Sequence, residues 1–201
     1  MPASESISGE LVLECANLHG EGILWNPADD RLWWSDIHGK ALWWHEPGSG
    51  QSGSLPMPRR LCAFAPRERS GWIMAFDDRI ELRSQDFRLE RRLDRAGDIA
   101  PGTRLNDGRT DRFGNFVVGG MNEDGGAGGS AVFQVRPDGA LGILIDAVSC
   151  ANSICFAPDG GRMYFTDTPE NRIRRYPYAE YGIGSAAILH DGSGAAGLPD
   201  G

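Results

Sequence analysis

Long apolar runs are missing from this 201-residue chain. None approaches the roughly 20 residues needed to span a bilayer. Residues 1–10 carry neither a basic start nor an apolar stretch of the kind that directs secretion, so a soluble cytoplasmic protein is expected. Basic charge is scarce too: 20 Lys and Arg stand against 28 Asp and Glu, a net charge of -8. No Lys/Arg cluster is interleaved with stacking aromatics, which argues against nucleic acid as a partner. No Cys-x-x-Cys spacing occurs among Cys15, Cys62, Cys150 and Cys155, and histidines at ligand spacing are too few for a thiolate zinc site. The four cysteines are expected to be reduced core residues. A Gly-x-Ser-x-Gly nucleophile elbow is absent, and His19, His38, His45 and His190 follow no triad order. They read as rim or turn residues.

Sustained helical periodicity is also lacking. With 28 Gly and 12 Pro the chain is punctuated too often for long helices, yet 40% hydrophobic residues and 6 Trp are enough for a sizeable core. What fills it is a repeated unit of strand, turn and strand. Asn26-Pro27-Ala28-Asp29-Asp30-Arg31-Leu32-Trp33-Trp34-Ser35-Asp36 is echoed by Ala157-Pro158-Asp159-Gly160-Gly161-Arg162-Met163-Tyr164-Phe165-Thr166-Asp167. Looser copies run from Ala65-Pro66 to Phe76 and from Thr110-Asp111 to Gly119. Aligned this way, Trp33, Trp72, Phe116 and Tyr164 take equivalent places at a pitch of roughly 40 to 50 residues, the range of propeller blades. A second apolar run follows each copy, at Ala41-Leu42-Trp43-Trp44, Ile80-Glu81-Leu82-Arg83, Ala131-Val132-Phe133-Gln134-Val135 and Ile173-Arg174-Arg175-Tyr176. The fold class is therefore all-β and radial, with a β-sandwich joined by Pro-Asp-Gly turns as the alternative.

In a propeller the inner strand of every blade ends around one axis, so residues far apart in sequence share one pocket. Polar residues at those points are the candidates. Glu21, between Gly20 and Gly22, either aims a carboxylate inward or is a turn acid facing solvent. In Thr103-Arg104-Leu105-Asn106-Asp107-Gly108, strand alternation puts Arg104 and Asn106 on one face, a guanidinium and an amide suited to a polyhydroxylated ligand. The same residues also read as an Asn-Asp-Gly hairpin turn. Gly119-Gly120-Met121-Asn122-Glu123-Asp124-Gly125-Gly126 matches neither a phosphate loop nor an EF-hand and reads as a polar rim loop. Asn152 opens an apolar strand, and Asp200 lies in a Pro-Asp-Gly turn. The tryptophan pairs Trp33-Trp34 and Trp43-Trp44 alternate faces, so packing between blades is a better reading than a sugar platform.

Taken in order, Gly20-Glu21-Gly22 with Trp25, Trp34-Ser35-Asp36-Ile37, Arg104-Leu105-Asn106-Asp107-Gly108, Met121-Asn122-Glu123, Asn152, Tyr164-Phe165-Thr166-Asp167 and Leu198-Pro199-Asp200-Gly201 resemble the gluconolactonase and regucalcin (senescence-marker) family. The resemblance covers nearly the whole chain from about Leu11. It implies a six-bladed propeller that hydrolyses a sugar lactone, an aldono-1,4- or 1,5-lactone, to the aldonic acid. It further implies one divalent metal held by Glu21, Asn152 and Asp200, with Asp200 also placed to act as catalytic general base. Arg104, Asn106 and Glu123 would bind substrate. Oxygen ligands suit calcium, magnesium, manganese or ferrous iron, with zinc also possible. Ala151 and Ser153 flank Asn152 where the family commonly has Ser and Gly.

No obligate protein partner is indicated. Two alternatives to a lactonase are a non-catalytic calcium-binding or regulatory propeller and a propeller hydrolase of aryl esters or organophosphates. Residues 1–201 read as a single partial propeller domain with a flexible N-terminus at 1–10. About four blades are encoded where the family has six, which implies C-terminal truncation and leaves Asp200 on a tail without a strand to hold it.

Overall fold

The computed structural model describes residues 8–93 and 98–200, so most of the flexible segment expected at 1–10 lies outside the described residues. The chain is all-β, with four consecutive antiparallel sheets, each a blade. Blade 1 contains β1 (Gly20–Asn26), β2 (Arg31–Asp36), β3 (Ala41–Glu46) and β4 (Gln51–Pro56). Blade 2 contains β5 (Leu61–Pro66), β6 (Trp72–Phe76), β7 (Ile80–Arg83) and β8 (Leu89–Arg92). In blade 3 the strands are β9 (Thr103–Thr110), β10 (Phe116–Asn122), β11 (Ser130–Val135) and β12 (Leu141–Val148). Blade 4 has β13 (Ala151–Phe156), β14 (Arg162–Asp167), β15 (Arg172–Ala179) and β16 (Gly182–Ile183), and β17 (Ala187–Asp191) also pairs with β15. The first strands contact one another in the order β1, β5, β9, β13, which places them innermost. Among the described residues, no helix is long and apolar enough to cross a membrane.

Short strands between turn residues cannot bury two faces alone, so each blade packs on the next. Trp33, Leu42, Phe64, Trp72 and Met74 fill the seam between blades 1 and 2. Ala63, Ile73, Phe116, Val118 and Phe133 fill the next seam, and Val117, Val132, Met163, Phe165 and Tyr176 the third. Each fully buried aromatic or aliphatic side chain stabilises the fold by about 1.5–3 kcal/mol. Trp33 packs edge-on against Trp72 at 5.2 Å, between blades as expected. Trp34 instead stacks on Trp43 within blade 1, at 6.0 Å.

The four aromatic residues of the repeat all lie on the second strand of their blades. Equivalent backbone bonds at the axis end, Ile37 N–H to His19 O, Asp77 N–H to Arg60 O, Glu123 N–H to Gly102 O and Thr168 N–H to Cys150 O, fix the true register. Counted from those bonds, Ile73 and Gly119 correspond to Trp33 and Tyr164, so Trp72 and Phe116 are displaced by one and three residues. The cysteines also differ from expectation: Cys62 alone is buried, Cys15 and Cys150 are half-buried, and Cys155 is exposed, all four as free thiols. Cys155 stands within the bulge-distorted β13, where alternation no longer keeps successive side chains in the core.

The acid that ends the repeat has a structural task. Asp36 accepts the N–H groups of Leu18, His19 and Gly39 at 2.9–3.0 Å, and Asp167 accepts those of Ser149 and Cys150 at 2.8–2.9 Å. Both carboxylates thereby anchor the chain as it enters an inner strand, just before Glu21 and Asn152. Burial opposes the charge on Asp36, but the three backbone donors outweigh it and hold its pKa below the ordinary value. A depressed folded-state pKa stabilises the fold above the ordinary carboxylate range, and that contribution is lost as pH falls through the folded value. Asp36→Ala is expected to cost about 1–3 kcal/mol at neutral pH. In denaturant titrations the gap between wild type and variant should narrow on acidification.

Every inner strand carries one extra residue close to its axis end. Gly22 and Ile23 oppose Trp34 alone, Cys62 is extra in β5, Asn106 and Asp107 oppose Gly119, and Ser153 and Ile154 oppose Phe165. Such bulges bend a strand and re-aim its side chains. Gly22 and Ser153 take left-handed φ values of +65° and +58° at the bulge. Glycine adopts that conformation without strain, and serine does not.

Candidate active site on the propeller axis

The register aligns Glu21, Cys62, Arg104 and Asn152 as the second residues of the four inner strands, counted from the shared backbone bonds. One position, repeated by the fold, therefore presents a carboxylate, a thiol, a guanidinium and an amide to the axis. A cavity of about 180 Å³ follows the axis and is lined by Glu21, Cys62, Asn106, Asp107 and Asn152 among others. Glu21 thus faces inward and is not a solvent-exposed turn acid. No hairpin turn forms at Asn106 and Asp107 either, because β9 continues through its bulge there to Thr110.

Arg104 is 4% exposed, and its Nη1 donates to Asn106 Oδ1 at 2.7 Å and to Leu105 O at 2.9 Å. Leu105 points the other way into the core, fully buried. Asn106 Nδ2 in turn donates to Asn152 Oδ1 at 3.1 Å and to Ala151 O at 2.9 Å. Asn106 of blade 3 therefore meets the blade 4 amide directly, and Arg104 connects to it through Asn106. Gly119 makes the approach possible, since a Cβ there would stand 2.2 Å from the Cβ of Ala151.

Glu123 stands at the mouth of the axis, beyond the cavity. Its two oxygens accept a bidentate pair of bonds from Arg60, at 2.5 and 2.9 Å, and its Oε1 is 3.8 Å from Arg104 Nε. Arg60 also donates to Asp77 at 3.0 Å. The bond from Arg60 holds the Glu123 carboxyl below the usual carboxylate range. Arg60 is a site residue the sequence reading missed; Pro58-Arg59-Arg60-Leu61 has no local signature, and its partner lies 63 residues away.

Asp107 is the second missed residue. The bulge turns it into the cavity beside Asn106, where one of its oxygens accepts the Ile154 N–H at 2.9 Å. Burial raises its pKa against that backbone bond, and Asp200 raises it further. Glu21 is raised as well, by burial first and then by Asp200, with Asp107 adding to the effect and His19 opposing it. His19 Nε2 lies 3.4 Å from Glu21 Oε1, so this histidine borders the site. The only signal for Asp107 was its place in Arg104-Leu105-Asn106-Asp107-Gly108, where strict alternation pointed it away.

Asp200 approaches closely enough to repel both Glu21 and Asp107. The expectation that nothing holds its segment is corrected by two bonds from blade 4. Ser153 Oγ donates to Asp200 O at 2.5 Å, and Thr168 Oγ1 donates to Pro199 O at 3.1 Å. Burial pushes the Cys62 thiol up to about 12, although Arg104 beside it pulls the other way. Cys150 is also raised by burial, and its Sγ lies 3.8 Å from Asn152 Nδ2, beside the site as well as packed.

Glu21, Asp107 and the Asn152 amide thus line one cavity, and Asp200 pushes up the pKa of both cavity carboxylates. That is the electrostatic condition a divalent cation relieves, and all the donors are hard oxygens. The residues present fit such an ion. Among the described residues, no three His, Cys, Asp or Glu side chains are grouped tightly enough to hold a metal by themselves; the set here relies on the Asn152 amide.

Residues 19–201 match the SMP-30/gluconolactonase/LRE-like region. The chain belongs to this family. It is 31% identical over 184 residues to a 6-deoxy-6-sulfogluconolactonase of Pseudomonas putida, covering 90% of this chain and 63% of that protein. It is 35% identical over 171 residues to an L-arabinolactonase of Azospirillum brasilense, covering 79% and 54%. The solved structure of a calcium-binding protein, regucalcin, from Agrobacterium tumefaciens superposes with a TM-score of 0.90 at 31% identity, over 96% of this chain and 66% of that one. The chain thus spans about 63% of the length of the first curated relatives it matches. Family membership accounts for the four blades and for the ordered motifs from Gly20 to Asp200.

Proposed function

We propose that this chain carries the reaction centre of a sugar lactone hydrolase, within one partial propeller domain. The observation that carries the reading is the convergence of Glu21, Asp107 and Asn152 on the axial cavity beside the Arg104–Asn106 pair, with Asp200 close enough to repel both carboxylates. The names of the relatives, a sulfogluconolactonase and an arabinolactonase, supply the substrate class. Glu21, Asn152 and Asp200 would hold the divalent ion, with Asp107 adding negative charge. When bound, such an ion supplies Lewis acidity toward a carbonyl oxygen and lowers the pKa of a water.

The chain's own residues do the rest. Arg104, oriented by Asn106, donates to ring oxygens of a lactone at the mouth, and the Glu123 carboxylate, fixed by Arg60, accepts from its hydroxyls. Gripping the ring on two sides holds the acyl carbon in one place, which replaces entropy that a free encounter would lose. Asp200 accepts the proton of the attacking water on its carboxylate and is the general base. No covalent acyl intermediate is required.

The test is acid release from aldono-1,4- and 1,5-lactones by metal-free protein to which calcium, magnesium, manganese, zinc or ferrous salts are returned one at a time. Metal-dependent release is expected. Metal binding without turnover of any lactone would replace this reading with a calcium-binding propeller, as in the name of the Agrobacterium neighbour. Faster turnover of aryl esters or organophosphates than of lactones would reassign the substrate.

A further inference from the structure

The amides and hydroxyls of the site form a single chain of hydrogen bonds that all run in one direction. Arg104 Nη1 donates to Asn106 Oδ1, Asn106 Nδ2 to Asn152 Oδ1, Asn152 Nδ2 to Thr168 Oγ1, and Thr168 Oγ1 to Pro199 O, at 2.7, 3.1, 2.8 and 3.1 Å. Thr168 is the link where this chain leaves the inner strands and reaches the segment bearing Asp200.

A hydroxyl has one proton. At Thr168 that proton goes to Pro199 O, so the oxygen can only accept from Asn152. The Asn152 amide is thereby keyed, with its NH₂ toward Thr168 and its oxygen toward Asn106 and the axis. A flipped amide would set its oxygen against the Thr168 oxygen and its NH₂ against that of Asn106, leaving no oxygen for a cation. The same hydroxyl pins the backbone of Pro199. Beside it, the Ser153 hydroxyl holds Asp200 O from a left-handed backbone position.

We propose that Thr168 is a positioning residue. Its one hydroxyl orients the Asn152 amide and tethers the segment of Asp200, so that two oxygen ligands from distant parts of the chain are set as a unit. The ligand roles of Asn152 and Asp200 rest on the function proposed above; the tether does not. The Thr168 backbone is fixed independently, since its N–H donates to Cys150 O at 2.9 Å and its own carbonyl accepts the Asn171 N–H at 3.0 Å. Removing the hydroxyl therefore leaves the fold of this turn in place.

Thr168→Val keeps the branched shape without the hydroxyl, and Thr168→Ser keeps the hydroxyl without the methyl. The backbone order of Asp200 is read by ¹⁵N relaxation in metal-free protein, and the affinity for calcium and manganese by calorimetric titration. With Ser153→Ala also present to remove the separate bond to Asp200 O, Thr168 and Thr168→Ser should hold Asp200 ordered, while Thr168→Val should drop its order parameter below about 0.6. Cation affinity should fall 10- to 100-fold in Thr168→Val and stay near wild type in Thr168→Ser, with melting temperatures of the variants close together. Unchanged order at Asp200 in Thr168→Val with Ser153→Ala overturns the tether, and unchanged affinity in Thr168→Val overturns the keying of Asn152. If wild type binds neither cation, the ligand reading fails by itself, and the relaxation measurement still decides the tether.

Discussion

Glu21→Gln is expected to lower metal-dependent lactone turnover about a thousandfold, the equivalent of about 4 kcal/mol of barrier, without weakening the fold. The amide has the shape of the carboxylate but not its charge. Glu21 lies half-buried among other acids, and both burial and Asp200 work against its ionised form. Replacing it with a neutral group therefore removes a destabilising charge from the metal-free protein. Activity and stability should move in opposite directions, with kcat/KM collapsing while the metal-free melting temperature holds or rises. A variant that keeps full activity would remove Glu21 from the site. A variant that loses activity only because it unfolds would assign the residue a structural role.

Asp107→Asn separates charge from hydrogen bonding in the same way. The amide oxygen still accepts the Ile154 N–H that the carboxylate holds at 2.9 Å, so the bulge in β9 is retained. What disappears is one negative charge in the axial cavity. If Asp107 served only the bulge, the variant would be silent. If it contributes to the field at the site, divalent ion affinity should drop 10- to 100-fold. Thermal melts read this without an activity assay. At a free ion concentration about 100 times the wild-type Kd, binding stabilises wild type by about 2.7 kcal/mol, whereas a variant bound 100-fold more weakly gains only about 0.4 kcal/mol.

The parts of this architecture set by neighbours in sequence were legible in sequence. Alternating apolar residues between Gly, Pro, Asp and Asn turns specify short strands, because side-chain period and turn conformation are local properties. The second strands at Trp33, Trp72, Phe116 and Tyr164 were found for that reason. Their alignment slipped by one residue at Trp72 and three at Phe116, since register depends on backbone bonds to the preceding strand and not on the aromatic pattern. The terminal acids Asp36 and Asp167 were visible as a repeat, but their work as acceptors for the incoming chain was not.

Glu21, Arg104, Asn106, Glu123, Asn152 and Asp200 were each ambiguous alone, because Asn and Asp at turns and strand starts are common local chemistry. Their ordered match to the motifs of the gluconolactonase and regucalcin family singled them out. The fold brings Glu21, Asn106 and Asn152 to one cavity, connects Arg104 to it through Asn106, and sets Glu123 at the mouth under the grip of Arg60.

The sequence by itself determined the blade and its recurrence, because a strand hairpin is encoded within a few tens of residues. It also held the ordered motifs whose family resemblance pointed to Glu21, Arg104, Asn106 and Asn152 on three of the four inner strands. Only the tertiary structure decided three things: that a bulge turns Asp107 inward beside Asn106, that Arg60 reaches Glu123 from the neighbouring blade, and that Ser153 and Thr168 hold the segment of Asp200. Each of these depends on an inserted residue's effect on strand direction or on a contact across 31 to 63 residues. Such contacts are set by how blades pack on one another, a long-range consequence of burial that no local pattern records.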